Sequence, residues 1–117
     1  MAGPRSGEFG DGKFWFSRSG STVTLGITNA AAEELGEAIA VELPSDGDDF
    51  NRGEAVAMIN SKTGSLELTS PASGLVTEVN VALQEHPERV TDDPQEEGWI
   101  VRLDIQDSSE LEEAQDD

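Results

Sequence analysis

The chain contains no cysteine. That excludes a disulfide framework, a thiolate nucleophile and a Cys-based zinc site. It has one histidine, His86, in the run Gln84-Glu85-His86-Pro87. A hydrolytic triad would depend on that single base, and a helix-end setting of this kind suits a solvated histidine better than a ligand. No window approaches the roughly 18 apolar residues of a membrane span. The opening Met1-Ala2-Gly3-Pro4-Arg5 lacks the apolar stretch of a secretory signal, so the cytosol is the expected compartment. Lysine is scarce as well: only Lys13 and Lys62 are present.

What the chain does have is acid. Twenty-five Asp and Glu face seven Lys and Arg, a formal net charge of −18. Such a surface repels the phosphates of nucleic acids and anionic lipid headgroups, so neither is an expected partner. It steers a basic partner face inwards, and it equally suits solubility or a salty cytoplasm. At 117 residues and 35% hydrophobic content, one domain with one compact core is expected.

Short alternating segments begin at Phe14. Val23, Leu25 and Ile27 fall on one face, as do Ile39, Val41 and Leu43, and Pro44-Ser45-Asp46-Gly47 ends the second run. Strands are further expected at 55–59, 66–68, 75–79 and 99–105. Thr28 or Asn29 caps a helix from Ala30 to Leu35 that Gly36 terminates. Asn80 caps a turn through Glu85, and Ser109-x-x-Glu112 forms a capping box. Many short strands with few helices predict an all-β barrel or sandwich with short helices. The expected organisation is a flexible Gly-rich arm over 1–12, a domain over 13–107 and a short acidic helix or tail over 108–117. From Asp104 onward there are seven acids and no base, so the end is expected to fray.

One hairpin is the place for chemistry. In Ala55-Val-Ala-Met-Ile-Asn-Ser-Lys-Thr-Gly-Ser-Leu-Glu-Leu-Thr69, the run Ser61-Lys62-Thr63-Gly64 suits a type I turn with glycine in the left-handed region, a G1 bulge. Lys62 at its tip is open to a modifying enzyme, although a turn lysine kept for solubility is the plainer account of the spacing alone. Ala57-Met58 is followed by Ile59 rather than lysine, which argues against biotin. Paired acids such as Asp48-Asp49 and Asp92-Asp93 lack the spacing of a calcium loop. Gly64, Gly74 and Gly98 read as turn and bulge positions rather than a phosphate cradle.

Several motifs resemble the glycine cleavage H-protein family. Val23 to Gly36 is similar to VTVGITDYAQEELG, and Val41-Glu42-Leu43-Pro44 to VELP. Ser70-Pro71-Ala72-Ser73-Gly74 with Val76 to Asn80 resembles APVSGEVVEVN. Pro87-Glu88, Asp93-Pro94 and Gly98-Trp99-Ile100 track the family's later motifs, and Ser108-Ser109-Glu110-Leu111 its closing PSEL. The likeness spans about residues 13–113.

The departures gather where the family's function sits. Its ESVKA signature places a lysine eight residues before the proline of the SG motif, and eight before Pro71 stands Thr63; Lys62 is one position earlier. Asn60-Ser61 replaces Glu-Ser, Thr69 replaces an aromatic, and the family's HEW reads Lys13-Phe14-Trp15. Two accounts follow: Thr63 replaces the attachment lysine outright, or a bulge at Gly64 absorbs one residue and leaves Lys62 at the tip.

The resemblance implies a lipoyl/biotinyl-like barrel-sandwich hybrid and a small non-enzymatic carrier. A lipoyl group or a different cargo on the tip lysine, here Lys62, would pass between partner enzymes of the P, T and L type, with a lipoyl ligase or transferase to attach it. The alternative is a diverged docking module without a prosthetic group.

Overall fold

Alternation of apolar and polar side chains becomes sheet wherever one face finds a core. In the computed structural model, residues 6–9 and 12–105 are described. All strand pairs among them are antiparallel. The larger sheet has six strands in the order β1 (Ser6–Phe9), β2 (Phe14–Ser19), β3 (Thr22–Ile27), β9 (Val101–Ile105), β8 (Gly74–Val79) and β5 (Asp49–Phe50). The smaller has three: β4 (Ala38–Glu42), β6 (Ala55–Ser61) and β7 (Ser65–Thr69).

The larger sheet supplies most of the core. Phe14 and Phe16 of β2, Val23, Leu25 and Ile27 of β3, Val76 of β8, and Val101, Leu103 and Ile105 of β9 are all buried. The smaller sheet adds Val41, Val56, Ala57, Ile59 and Leu68. Stacking the two apolar faces is what lets strands of five to seven residues persist in water, since a lone hairpin is marginal.

Three short helices fill the ends: α1 (Asn29–Leu35), α2 (Ala82–Glu85) and α3 (Arg89–Asp92). Thr28 caps α1, its hydroxyl accepting from Ala31 N at 3.2 Å and donating to Gly12 O at 2.7 Å. Gly36 ends α1 at φ 80°, a conformation that favours glycine, and its N–H donates to Ala32 O. The hydroxyl of Thr91 accepts from Ala38 N at 3.2 Å, tying α3 to β4.

Several expectations need correction. Ser6–Phe9, assigned to a flexible arm, forms β1 against β2, because Phe9 buries its ring beside Phe14 and Phe16. Ile39 does not share a face with Val41. The pairing of β4 with β6 slips between Ala38 and Ala40, and this bulge leaves Ile39 51% exposed. Asn80 does not cap α2 with its side chain. Its buried amide instead donates to Glu97 O and Trp99 O, both at 2.8 Å, since a buried amide without partners is costly. The expected capping box at Ser109 and the acidic tail lie outside the described residues.

Candidate site at the β6–β7 hairpin tip

The pairing of β6 with β7 runs without interruption from Ala57 opposite Leu68 to Asn60 opposite Ser65. Ile59 and Leu68 are fully buried, and this anchors the register, because a slip of one residue would expose both. Beyond Asn60, the Ser61 N–H donates to Gly64 O at 2.8 Å. Only Lys62 and Thr63 lie past that bond, so the turn has two residues.

The G1 bulge expected at Gly64 is absent. Gly64 is not among the glycines with positive φ, and the irregularity in this hairpin falls at its far end, between Ala55 and Ala57. The Ser61 side chain supplies the reason. Its hydroxyl donates to Gly64 O at 3.2 Å and accepts from Thr63 N at 3.3 Å, which closes the turn without a left-handed Gly64. The hairpin therefore pairs in continuous register from Ala57 to its tip.

The two tip residues have different surroundings. Both are exposed. The Thr63 hydroxyl nevertheless donates to Leu35 O of α1 at 3.0 Å, across 28 positions of chain. Leu35 O belongs to the last turn of α1, where carbonyls lack partners within the helix. Lys62 stands beside a cavity of about 230 Å³ lined by Leu35, Gly36, Glu37, Ile39 and Ser61. A second cavity of about 190 Å³, between α1 and β7, is lined by Lys13, Ala31, Glu34 and Leu66. The chain's two lysines thus stand on two cavities that share Leu35.

Sequence reasoning reached Lys62 and Thr63 but missed Leu35 and Ile39 as their neighbours and Lys13 on the adjoining cavity. Lys13 carried one signal, as the first residue of the altered Lys13-Phe14-Trp15 motif. Ile39 carried none, because the bulge that turns it outward depends on pairing with β6. His86 caps the end of α2, 52% exposed, with Nδ1 3.7 Å from Glu88 Oε1. It takes no part in the tip.

A family model for the glycine cleavage H-protein matches residues 8–117. The chain belongs to the glycine cleavage H-protein family.

Among its relatives, the glycine cleavage system H protein of Thermus thermophilus is 42% identical over 102 residues, covering 87% of this chain and 80% of that protein. The H protein of Thermotoga maritima is 40% identical over 103 residues, with 88% and 83% covered. That of Anaeromyxobacter sp. (strain K) is 40% identical over 102 residues, with 87% and 80% covered. The crystal structure of a glycine cleavage system H protein from Mycobacterium marinum superposes with a TM-score of 0.77 at 27% identity, covering 97% of this chain and 98% of that one. The two facing sheets with few short helices are the lipoyl-domain-like barrel-sandwich hybrid of this family. Membership makes the chain a non-enzymatic protein of the carrier type. Among the described residues, no helix is long and apolar enough to cross a membrane.

Proposed function

We propose that this H-family protein is a covalent carrier whose attachment point is Lys62. The observation that carries the reading is the position of Lys62 in the two-residue turn, exposed and held out by a hairpin anchored in the core by Val56, Ala57, Ile59 and Leu68. An attachment lysine needs an accessible primary amine on a scaffold that does not move with it. Of the two tip residues, only Lys62 has an amine.

The chemistry asked of the chain is small. The deprotonated Nζ attacks the carbonyl carbon of an activated acyl group, an amide bond forms, the activating group leaves, and the nitrogen gives up a proton. A lipoyl group so joined would supply a dithiolane able to carry an aminomethyl group. Everything else falls to the protein: keeping the amine exposed and presenting a surface that partner enzymes read. By family likeness those partners are P-, T- and L-type proteins or diverged counterparts, together with a lipoyl ligase in the cytosol. The net charge of −18 suits basic docking faces and disfavours nucleic acids and anionic membranes.

A second reading has an observation of its own. By the count of eight back from Pro71, Thr63 stands where the family's motif has its lysine, and its hydroxyl is engaged with Leu35 O. A docking module that has lost its prosthetic group would look like this.

Intact mass of the protein from its native host, with peptide mapping over residues 53–74, separates the two. An adduct on Lys62, absent in Lys62→Arg, is the expected result, and its mass identifies the cargo. A chain that stays unmodified after incubation with an active lipoyl ligase would leave the docking module as the function.

A further inference from the structure

We infer that Thr63 is a positioning residue, a latch that fastens the hairpin tip to the C-terminal end of α1 and so fixes where Lys62 is presented. The inference rests on the Lys62 reading only for what the tip presents; the latch stands on its own geometry.

Besides the Ser61 and Thr63 hydroxyls, which lie 3.3 Å apart, four hydrogen bonds meet within four residues of turn. The Ser61 N–H and the Ser61 hydroxyl both donate to Gly64 O, at 2.8 and 3.2 Å. The Thr63 N–H donates to the Ser61 hydroxyl at 3.3 Å, and the Thr63 hydroxyl donates to Leu35 O at 3.0 Å. The first three are local and would hold the turn's shape in an isolated hairpin. The fourth is the side-chain hydrogen bond that ties the turn to α1, beside the backbone pairing of Ser61 with Ala38 of β4.

Its acceptor is well chosen. The last carbonyls of a helix have no partner in the helix. Gly36 turns the backbone away at φ 80° and uses its own N–H on Ala32 O, leaving Leu35 O to an outside donor. Leu35 itself is buried among the core residues, so the point of attachment is fixed. A two-residue turn clamped on one residue leaves its neighbour little freedom of backbone. The Lys62 side chain then starts from a defined place beside the Leu35, Gly36, Glu37 and Ile39 cavity.

The residue type matters for a simple reason. Thr63→Val keeps the shape and removes the donor, whereas Thr63→Ser keeps the donor and removes a methyl group. Both substitutions are exposed, and neither touches the buried arms.

The test compares the full-length wild type, Thr63→Val and Thr63→Ser by two measurements: amide hydrogen exchange of Ser61 to Gly64, and the rate of adduct formation on Lys62 with a lipoyl ligase, lipoate and ATP. Loss of one neutral hydrogen bond predicts tip exchange about three- to tenfold faster in Thr63→Val, with Thr63→Ser close to wild type. The adduct rate should fall in Thr63→Val and recover in Thr63→Ser. Unchanged exchange in Thr63→Val would overturn the latch. Faster exchange with an unchanged adduct rate would overturn its role in presenting Lys62. If the wild type itself gains no adduct, the carrier reading fails, and exchange alone then judges whether the latch holds the tip.

Discussion

The β2–β3–β9–β8 region of the larger sheet and the β6–β7 tip of the smaller one are built by opposite rules. In the larger sheet, Val23, Leu25, Ile27, Val76, Val101 and Leu103 are at most 1% exposed, so each side chain is held by neighbours on every side. At the tip, Lys62 and Thr63 are exposed and the contacts are hydrogen bonds with one acceptor each. Packing density makes the first region intolerant of any change in volume. The second can change residue type with little effect on the fold. The departures from family motifs at Asn60, Lys62 and Thr63 lie in this tolerant region.

The comparison can be broken from the stable side first. Leu25→Ala removes a fully buried side chain from the middle of β3 and should cost about 2–5 kcal/mol, read as a lower denaturant midpoint. Asn80→Ala comes next. It strips the two 2.8 Å bonds to Glu97 O and Trp99 O that hold the loop before β9, at a cost of about 1–3 kcal/mol by the same measurement. A smaller loss would mean that water replaces the amide.

On the tolerant side, Thr63→Lys puts a lysine eight residues before Pro71 and gives up the bond to Leu35 O, for about 0.5–1.5 kcal/mol. Intact mass after ligase treatment should then show modification at position 63. Modification confined to Lys62 would mean that the ligase reads the earlier position. Smallest of all, Lys62→Arg should leave stability within about 0.5 kcal/mol while abolishing the adduct. A stability cost near that of Leu25→Ala would erase the contrast between the two regions.

Much of this was legible in the chain. Val23, Leu25 and Ile27 announced β3 because strict alternation has no other stable reading at that length. Thr28 and Gly36 marked the two ends of α1, since capping and positive φ are local chemistry. Lys62 and Thr63 were reached by counting from Pro71. Other features were not legible. β5 has two residues and exists through its pairing with β8. β1 pairs with β2 because Phe9 finds the rings of Phe14 and Phe16. Gly98 looks like a turn glycine in the sequence, yet its sharper constraint is space. A Cβ there would lie 2.5 Å from Arg89 O and 2.6 Å from Asp93 O, on a neighbouring segment that no local pattern reveals.

By itself the sequence determined the strand periodicity, the α1 boundaries, the acidic surface and the hairpin with lysine and threonine side by side at its tip. Each follows from side-chain chemistry acting over a few residues. Tertiary structure alone decided that no bulge sits at Gly64, that Ile39 faces outward, and that the Thr63 hydroxyl meets Leu35 O while Lys62 does not share that bond. Those outcomes depend on which strand pairs with which and on where a helix ends relative to a turn 28 residues away. A sequence pattern with a period of two or 3.6 residues holds no record of such distances.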